Sequence, residues 1–380
     1  LAFGLAAYAL YWVVGIVDPQ IYRVSFLLIA LAAIFLVFPF SAGSRPVRNV
    51  VDGLCIVLAV AALVWPIADF DAFVLRAATP TATDLTLGAV ATLLVLEATR
   101  RTTGWILPVT AAIFLLYAYF GPWFDQIGLP LIAHRGYSVP RILGTLYMTL
   151  EGIFGVPLDV TATYIVLFTI YGAVLEHSGA GRFFIDWASA AVGRSRSGSG
   201  AGRTVTVAGY LLGAVSGSGV ANTVMLGAVA WPMMRRAGYP PDTGGAVLAA
   251  SGIGAILAPP AMGAAAFLIA EYLKITYLDV IAMAAIPALL YYLSVFMMVE
   301  ADSRRLEVRK VDSEVPSLAA VTTRGWHHFG SLLAIVILMA RGLTAFRAVF
   351  WATVLAVAAS FIHRDTALWP ARLARALAAG

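Results

Sequence analysis

The sequence predicts an all-α polytopic membrane protein with about ten transmembrane segments. Of its 380 residues, 61% are hydrophobic and only 12% are charged, which is about half the charged fraction of a soluble domain. Apolar runs of about 20 residues, long enough to cross a bilayer as helices, recur along the whole chain. A membrane β-barrel would show short segments of alternating polarity instead, and none is visible. The lipid bilayer is therefore the first partner that the sequence implies.

The apolar segments follow one another with short polar connections. Most of them are uninterrupted runs, whereas the seventh and eighth contain residues that break helices. In chain order, the predicted segments are 1–17, 24–40, 53–68, 84–98, 104–120, 152–176, 204–232, 244–270, 278–299, 326–341 and 345–362.

The arginines predict how these segments are oriented. The formal net charge is +5, but the arginines lie in short loops beside apolar runs, a placement that reflects membrane topology and gives no indication of nucleic-acid binding. Because basic loops face the cytoplasm, 41–52, 99–103 and 193–203 are predicted inside, and 69–83 and 121–150 outside. Basic residues flank both ends of segment 204–232, so it begins and ends on the same side. A re-entrant hairpin can do this and a single span cannot.

The two interrupted segments form the candidate binding site. The stretch "AVSGSGVAN" (214–222) is predicted to be the hairpin tip, since irregular backbone survives at membrane depth only beside protein or a water-filled cavity. A proline pair breaks segment 244–270, because proline lacks the N–H that a helix needs. Transporters use such half-helices to bind ions and anions. The candidate binding residues are Ser216, Gly217, Ser218, Ala221, Asn222, Gly252, Gly254, Ala255, Pro259 and Pro260.

A coupling cation is the expected co-ligand of this site. Serine and asparagine oxygens suit a hard cation, and the predicted Na⁺ ligands are Ser216, Ser218, Asn222 and Gly254. We expect a small cavity between the tip at 216–222 and the break at 252–260. The alternative is that the glycines only allow close helix packing. No cofactor other than Na⁺ is predicted.

The chain offers no catalytic residues by its sequence. Glu97, Glu176 and His177 lie at apparent helix ends, where a charge reaches the interface at little cost. The other histidines lack metal-ligand spacing, and neither a phosphate-binding loop nor a Ser-His-Asp or Cys-His set can be argued. An enzyme is therefore not predicted.

Several stretches resemble one transporter family. "GAVSGSGVANTVMLGAVAWPMMRRAGYPP" (213–241) and "PPAMGAAAFLIAEYLKITY" (259–277) resemble the large permease subunit of tripartite ATP-independent periplasmic (TRAP) transporters. Upstream, "LLVLEATRRTTGW" (93–105) and the stretch 151–188 are similar to permeases in which the small and large membrane subunits are fused. The resemblance extends from about residue 18 to 310 and is most specific over 150–300.

The resemblance implies import of small organic acid anions, dicarboxylates among them, by symport with Na⁺. Substrate would come from an extracytoplasmic binding protein, of the TAXI type for fused permeases, and the permease would lie in the cytoplasmic (inner) membrane. It also implies an elevator mechanism with two inverted repeats, each holding one hairpin and one broken helix. Where the family typically has Ser-Thr-Gly-Gly, this chain has Gly252-Ile253-Gly254-Ala255. Two hydroxyl groups that could bind Na⁺ are thus replaced, and backbone carbonyls would have to serve.

The resemblance also predicts the domain organisation. We expect a scaffold-like small-subunit region at 1–100, a connecting helix and outside loop at 101–150, and the first repeat of the transport core at 151–310. That repeat holds the hairpin 204–232 and the broken helix 244–270, and further scaffold helices begin at 311–380. A second hairpin and broken helix are expected beyond residue 380.

Other functions remain open at this level. The hairpin could form the selectivity filter of an ion or solute channel, or belong to a different symporter that works without a binding protein. A membrane-bound enzyme would need an ionisable cluster at mid-membrane depth. A scaffold protein would have a well-packed tip with no cavity.

Overall fold

The computed structural model describes residues 1–15, 17–40, 44–194, 198–306, 308 and 317–380. These residues form α-helices joined by short connections, with no β-strand among them, which confirms the predicted all-α class. Residues 41–43 and Arg196, which belong to two of the loops predicted inside, lie outside the described residues.

Most of the helices coincide with predicted apolar segments. Their bounds are α1 (Ala2–Val14), α2 (Pro19–Val37), α3 (Arg45–Ala68), α4 (Phe70–Leu75), α5 (Ala82–Thr103), α6 (Ile106–Gln126), α7 (Val139–Met148), α8 (Val156–Val160), α9 (Val166–His177), α10 (Ala180–Val192), α11 (Gly200–Ser216), α12 (Gly219–Arg236), α13 (Pro241–Ile253), α14 (Ala264–Leu273), α15 (Tyr277–Arg305), α16 (Leu318–Ala340), α17 (Ala345–Ser360) and α18 (Pro370–Ala379). A π-helical turn joins α8 to α9, and short 3₁₀ turns follow α4 and α13. Helices α4, α7, α10 and α18 lie outside all of the predicted apolar segments.

Six helices in the described part of the chain are long and apolar enough to cross a membrane. They are Pro19–Val37, Arg45–Ala68, Ala82–Thr103, Ile106–Gln126, Val156–His177 and Tyr277–Arg305. Of the shorter apolar helices, α1 precedes these six in the chain, α14 lies between the last two of them, and α17 follows the last. The protein is thus a multi-pass membrane protein.

The helix starts follow from local sequence. Asp18 accepts hydrogen bonds from the N–H groups of Gln20 and Ile21 at the start of α2. At α5, the Thr81 hydroxyl and the Asp84 carboxylate bind each other's backbone N–H in a capping box. Thr276 and Asp279 repeat this arrangement at α15. Such caps satisfy amide groups that have no partner inside the helix.

The chain divides into two compact units, of which the first comprises Leu1 and Val14–Ala162. In this unit, α2, α3 and α5 pack together around a core that includes Phe35, Leu63 and Phe73. The core also holds Tyr147, whose hydroxyl donates to the carbonyl of Ala62. This bond lets a polar group lie in an apolar core without an unmet hydrogen bond.

A buried arginine ties the same three helices together at one end. Arg101 of α5 has a side chain only 2% exposed, and its guanidinium pairs with Asp52 of α3 and Glu97 of α5. It also donates to the carbonyl of Phe38, just after α2. A buried charge is tolerated when its partners are in place. Glu97 is therefore one element of an ion-pair network.

The second unit comprises Ala2–Val13 and Thr163–Gly380. Its centre is the helical hairpin α11–α12, which packs against α13 and the 3₁₀ turn that follows it. The long helix α15 packs on α11, and Glu300 of α15 accepts hydrogen bonds from Ser199 and from Arg203 of α11. Helices α9, α10, α16 and α17 pack beside one another in the same unit. Hairpin and broken helix thus lie next to each other.

Candidate functional site at the helical hairpin

The hairpin turns within two residues. Helix α11 ends at Ser216, and Gly217 follows with φ +60° in the left-handed region, which glycine adopts without strain. The Gly217 N–H donates to the carbonyl of Gly213 at 3.0 Å. Ser218 then caps α12, its hydroxyl accepting from the N–H of Ala221 at 3.3 Å. The sequence "SGSG" therefore stops one helix and starts the next.

The hairpin touches the broken helix through glycines. A Cβ on Gly217 would lie 2.1 Å from the carbonyl oxygen of Met262, and one on Gly213 would lie 2.7 Å from the Cα of Ala255. From the other side, a Cβ on Gly252 would lie 1.9 Å from the Thr223 hydroxyl. No side chain fits at these points, so these glycines do serve close packing, as the simpler interpretation of the motif predicted.

The helical break begins before the proline pair. Helix α13 ends at Ile253, a 3₁₀ turn covers Gly254–Ile256, and the chain re-enters a helix at Ala264. Pro259 and Pro260, joined by a cis peptide bond, lie inside the non-helical stretch. The prolines cannot donate hydrogen bonds to Ala255 and Ile256, four residues upstream. Tighter i→i+3 bonds therefore replace the last helical turn.

The carbonyls around the break have partners in the protein. The N–H groups of Leu257, Ala258 and Gly263 donate to Gly254, Ala255 and Ile256 at 2.9 to 3.2 Å. Three tyrosines of α15 supply the remaining donors, and each donates to one or two of these carbonyls. Tyr291 donates to Ala250, Tyr292 to Ser251, and Tyr277 to Pro260 and Ala261. Protein N–H and O–H donors thus stabilise the break.

These tyrosines were not predicted from the sequence. A tyrosine buried in an apolar helix needs a partner for its hydroxyl, and a broken helix has carbonyls that need donors. The sequence therefore contained both the donors and the acceptors. What the sequence does not give is the pairing, since Tyr291 and Ala250 are 41 positions apart. Aromatic residues at helical spacing otherwise indicate only a packed core.

Asn222 joins the hairpin to the broken helix. Its side chain is 1% exposed, and its amide nitrogen donates to the carbonyl of Gly209 in α11 at 2.9 Å and to that of Gly252 in α13 at 3.4 Å. One side chain thus bridges three helices. Of the predicted site residues, Asn222 and Gly252 are therefore in direct contact.

Two buried oxygens near this bridge lack hydrogen-bond partners. One is the side-chain Oδ1 of Asn222, and the other is the hydroxyl of Ser251, a fully buried residue just before Gly252. Both side chains approach Gly209, on which a Cβ would lie 2.9 Å from that of Ser251. Unpaired buried polar atoms are rare and call for an explanation. Sequence reasoning did not select Ser251, although it precedes the Gly-Ile-Gly-Ala stretch.

A cavity of about 270 Å³ opens beside the hairpin tip. Ser216, Ser218 and Asn222 line it from the hairpin, and Thr169 and Glu176 line it from α9. Residues 252–260 do not line this cavity, because at Gly213 and Gly217 the hairpin lies directly against the broken helix. The cavity therefore lies on a different side of the tip from the one expected.

The predicted residues thus fall into two groups. Ser216, Ser218, Ala221 and Asn222 border the cavity. The others lie at the contact between hairpin and broken helix: Gly217 is in the turn, Gly252 is in the last turn of α13, and Gly254, Ala255, Pro259 and Pro260 are in the break. Gly254 has no room for a side chain because a Cβ there would lie 2.6 Å from Tyr291 and Tyr292. Whether any of these residues binds substrate or ion remains a prediction.

Comparison with known proteins agrees with this architecture. Residues 90–379 match the family described as "Tripartite ATP-independent periplasmic transporter, DctM component". The chain is 29% identical over 218 residues to the C4-dicarboxylate TRAP transporter large permease protein DctM of Pseudomonas aeruginosa, which covers 55% of this chain and 48% of the relative. It is 31% identical over 147 residues to the protein of the same name from Rhodobacter capsulatus, covering 36% and 31%.

The chain therefore spans about half or less of these relatives' length. The family match covers most of the chain and includes the hairpin, the break and α15. Family and relatives are transporter permeases and not enzymes, and they indicate a multi-pass protein of the inner membrane. The chain belongs to the DctM family of tripartite ATP-independent periplasmic transporters.

Proposed function

We propose that the whole protein is a secondary active transporter that imports small organic acid anions, C4-dicarboxylates being the substrate class named for both relatives. The observation that carries this proposal is the hairpin tip, where α12 begins beside a cavity whose mainly apolar lining includes the hydroxyls of Ser216 and Ser218 and the amide of Asn222. The first N–H groups of a helix have no partner within it and carry a partial positive charge. A carboxylate in the cavity would be stabilised by this helix end.

The cavity is large enough for part of such an anion. Its hairpin wall carries Ser216 and Ser218, whose hydroxyl oxygens accept from backbone N–H groups of the turn and whose O–H groups can at the same time donate to a carboxylate. Glu176 lies on the opposite wall and would repel an anion or hold a cation close by. The arrangement thus favours joint binding of an anion and a cation over binding of an anion alone.

We infer further that Na⁺ is the coupling ion and that it binds at the unpaired oxygens of Asn222 and Ser251. Sodium, like other hard cations, prefers oxygen ligands such as amide and hydroxyl oxygens. The family typically has two hydroxyl side chains where this chain has Gly252 and Ile253. The Ser251 hydroxyl would serve in place of one of them. A cation there would relieve two buried polar atoms at once.

Sodium dependence of uptake tests this ion site. Ser251→Ala removes one unpaired hydroxyl without breaking a hydrogen bond of the structure, and Asn222→Leu removes the bridge together with its Oδ1. If Na⁺ binds here, the Na⁺ concentration for half-maximal uptake should rise about tenfold, because one ligand worth ~1.5 kcal/mol corresponds to that factor. Ser218→Ala tests the hydroxyl of the tip in the same way. If all three variants fold and their Na⁺ dependence is unchanged, the motif serves helix packing and does not bind Na⁺.

We propose that substrate is delivered by an extracytoplasmic binding protein, of the TAXI type, and that the region 1–100 represents a small membrane subunit fused to the permease. The stretches 93–105 and 151–188 support the fusion, as does the position of the family match, which begins only at residue 90. The binding protein would dock on the predicted outside surface, which includes parts of 121–150.

Reconstituted uptake tests the function as a whole. Proteoliposomes containing the full-length protein should accumulate a labelled C4-dicarboxylate only with an inward Na⁺ gradient and the cognate binding protein. Saturable uptake that proceeds equally well without the binding protein would indicate a symporter of another kind. Rapid, non-saturable flux without any gradient would indicate a channel and contradict the proposal.

A further inference from the structure

In the first unit, the loop that follows helix α6 folds back onto a kink in that helix. The kink lies at Phe120 (φ −87°, ψ 17°), just before Gly121 and Pro122. Pro122 has no N–H to donate to the carbonyl of Ala118, four residues upstream. The N–H of Tyr137 donates to Ala118 instead, at 2.9 Å. The loop thus replaces the hydrogen bond that the proline removes.

Close contacts hold the loop in place. The His134 N–H donates to the carbonyl of Gly121, and a Cβ on Gly121 would lie 2.3 Å from the His134 ring. Gly136 has φ +72°, and a Cβ there would lie 2.7 Å from Pro122. The Tyr117 hydroxyl donates to the carbonyl of Ile132 at 2.6 Å. The shape of this region is therefore specified by its sequence.

The loop and the helix enclose an apolar groove of about 660 Å³. Its helix wall consists of residues at helical spacing, and Ile132 of the loop closes it on one side. The helix residues of this wall are Ile113, Phe114, Leu116, Tyr117, Phe120, Trp123 and Phe124. The groove is open, since Phe114 is 66% exposed. Along the helix, the wall from residue 113 to 124 is about 16 Å long, close to half of a hydrocarbon core ~30 Å thick.

A basic mouth continues the groove at the end where the loop returns. Phe120 and Trp123 border both the groove and this second pocket, which also contains Arg135 and Tyr137. The guanidinium groups of Arg135 and Arg141 lie over the Tyr137 ring, 5.7 and 5.5 Å from its centroid. Neither arginine pairs with a carboxylate within the described part of the chain. Arg135 therefore lies at the end of the apolar groove, and Arg141 contacts the same Tyr137 ring.

We propose that this groove binds an anionic glycerophospholipid, with an acyl chain along α6 and the phosphate between Arg135 and Arg141. The length of the groove matches one leaflet, and its predicted outside position makes this the outer one. Trp123 and Tyr137 line the mouth of the groove, and tryptophan and tyrosine are the side chains enriched where membrane proteins meet the headgroup layer. A neutral lipid would leave the two arginines unpaired, and arginine binds phosphate with favourable geometry.

Lipid retention by the whole protein tests the proposal. The full chain is placed in nanodiscs of equal parts phosphatidylglycerol and phosphatidylcholine. The protein is then extracted from the nanodiscs, and the lipids that co-purify with it are quantified by mass spectrometry. We expect phosphatidylglycerol to be enriched, and the enrichment to fall about fivefold for Arg135→Gln and about 25-fold for the pair with Arg141→Gln. Arg235→Gln with Arg236→Gln removes two exposed arginines elsewhere and should leave the enrichment unchanged.

A second variant separates the groove from its mouth. Leu116→Gln places a polar group on the apolar wall and should lower the retention of phosphatidylglycerol while both arginines remain. Equal phosphatidylglycerol enrichment in the arginine pair variant would overturn the proposal. So would displacement of the lipid by millimolar inorganic phosphate, which would indicate a site for a free anion. Loss of uptake that depends on the binding protein, with lipid retention unchanged, would assign this face to protein docking.

Discussion

Three tyrosine hydroxyls carry much of the structure around the broken helix. Each spans from α15 to a carbonyl in or next to the break, at 2.7 to 3.2 Å. Away from water, such a carbonyl has no alternative partner, and each unsatisfied group costs several kcal/mol. Phenylalanine would fill the same volume without the donor. The hydroxyls therefore stabilise the backbone conformation of the break.

Tyr292→Phe should destabilise the protein through this one lost bond. Ser251 would keep a buried carbonyl with no donor, and we expect a loss of about 0.5–2 kcal/mol, given that hydrogen bonds within membranes average the lower end of this range. Thermal unfolding in detergent should shift down by roughly 2–6 °C.

Tyr272→Phe is the matched control for this prediction. Tyr272 is 63% exposed, so the loss of its hydroxyl should leave the unfolding temperature unchanged. A Tyr292→Phe variant as stable as this control would mean that water or another group satisfies the Ser251 carbonyl.

At the scale of elements, the hairpin and the broken helix form one interlocked pair. Glycines on both partners let the backbones approach, and Asn222 bridges them with two hydrogen bonds. Because both elements have irregular backbone at the contact, each supplies packing or hydrogen-bond partners that the interrupted helix of the other lacks. Movement of the tip would thus disturb the break as well.

Gly217→Ala should open this contact. The alanine would adopt a left-handed conformation that costs roughly 1–2 kcal/mol, and its Cβ would collide with the carbonyl of Met262. We expect a lower unfolding temperature together with a loss of most uptake.

Gly227→Ala lies in the same hairpin and provides the control. A Cβ there meets nothing within 4 Å, and alanine favours a helix over glycine by up to about 1 kcal/mol. Equal or higher stability is expected for this variant. If both alanine variants behaved alike, the close approach at the tip would not matter for function.

Much of this pair could be predicted from the sequence, for physical reasons. The run Ser-Gly-Ser-Gly at 216–219 contains a residue for the left-handed turn and a cap for the next helix, and prolines must interrupt a helix. Such signals are local. The start of the break at Ile253, the roles of Tyr291 and Tyr292, and the side on which the cavity opens depend on contacts between distant parts of the chain. Periodicity and composition do not encode those contacts.

At the scale of the whole molecule, the distribution of arginines between the loops indicates a membrane protein, and the family match indicates a permease. The family match over 90–379 includes every residue of the candidate site, whereas the first unit also contains the helices before it. Its Arg101 network and its aromatic groove give this unit features of its own. How the chain crosses the membrane remains a prediction, and it depends on the arginine-rich loops.

Cysteine labelling tests this topology in intact cells. Starting from a Cys55→Ala background, single cysteines replace Arg194, Arg236, Thr79 and Lys274, all of which are exposed. The basic loops predict that cysteines at 194 and 236 react only after the membrane is permeabilised, because both ends of the hairpin face the cytoplasm. Cysteines at 79 and 274 should react with an impermeant maleimide from outside.

The comparison of positions 194 and 236 decides between hairpin and span, since α11 and α12 lie between them. Helices of 17 and 18 residues are each about 26 Å long, a little short of the ~30 Å core. A hairpin of this length reaches most of the way across and returns. If position 194 reacted only after permeabilisation and position 236 reacted from outside, the segment would cross the membrane once, and the tip could not serve both as a turn and as a binding site.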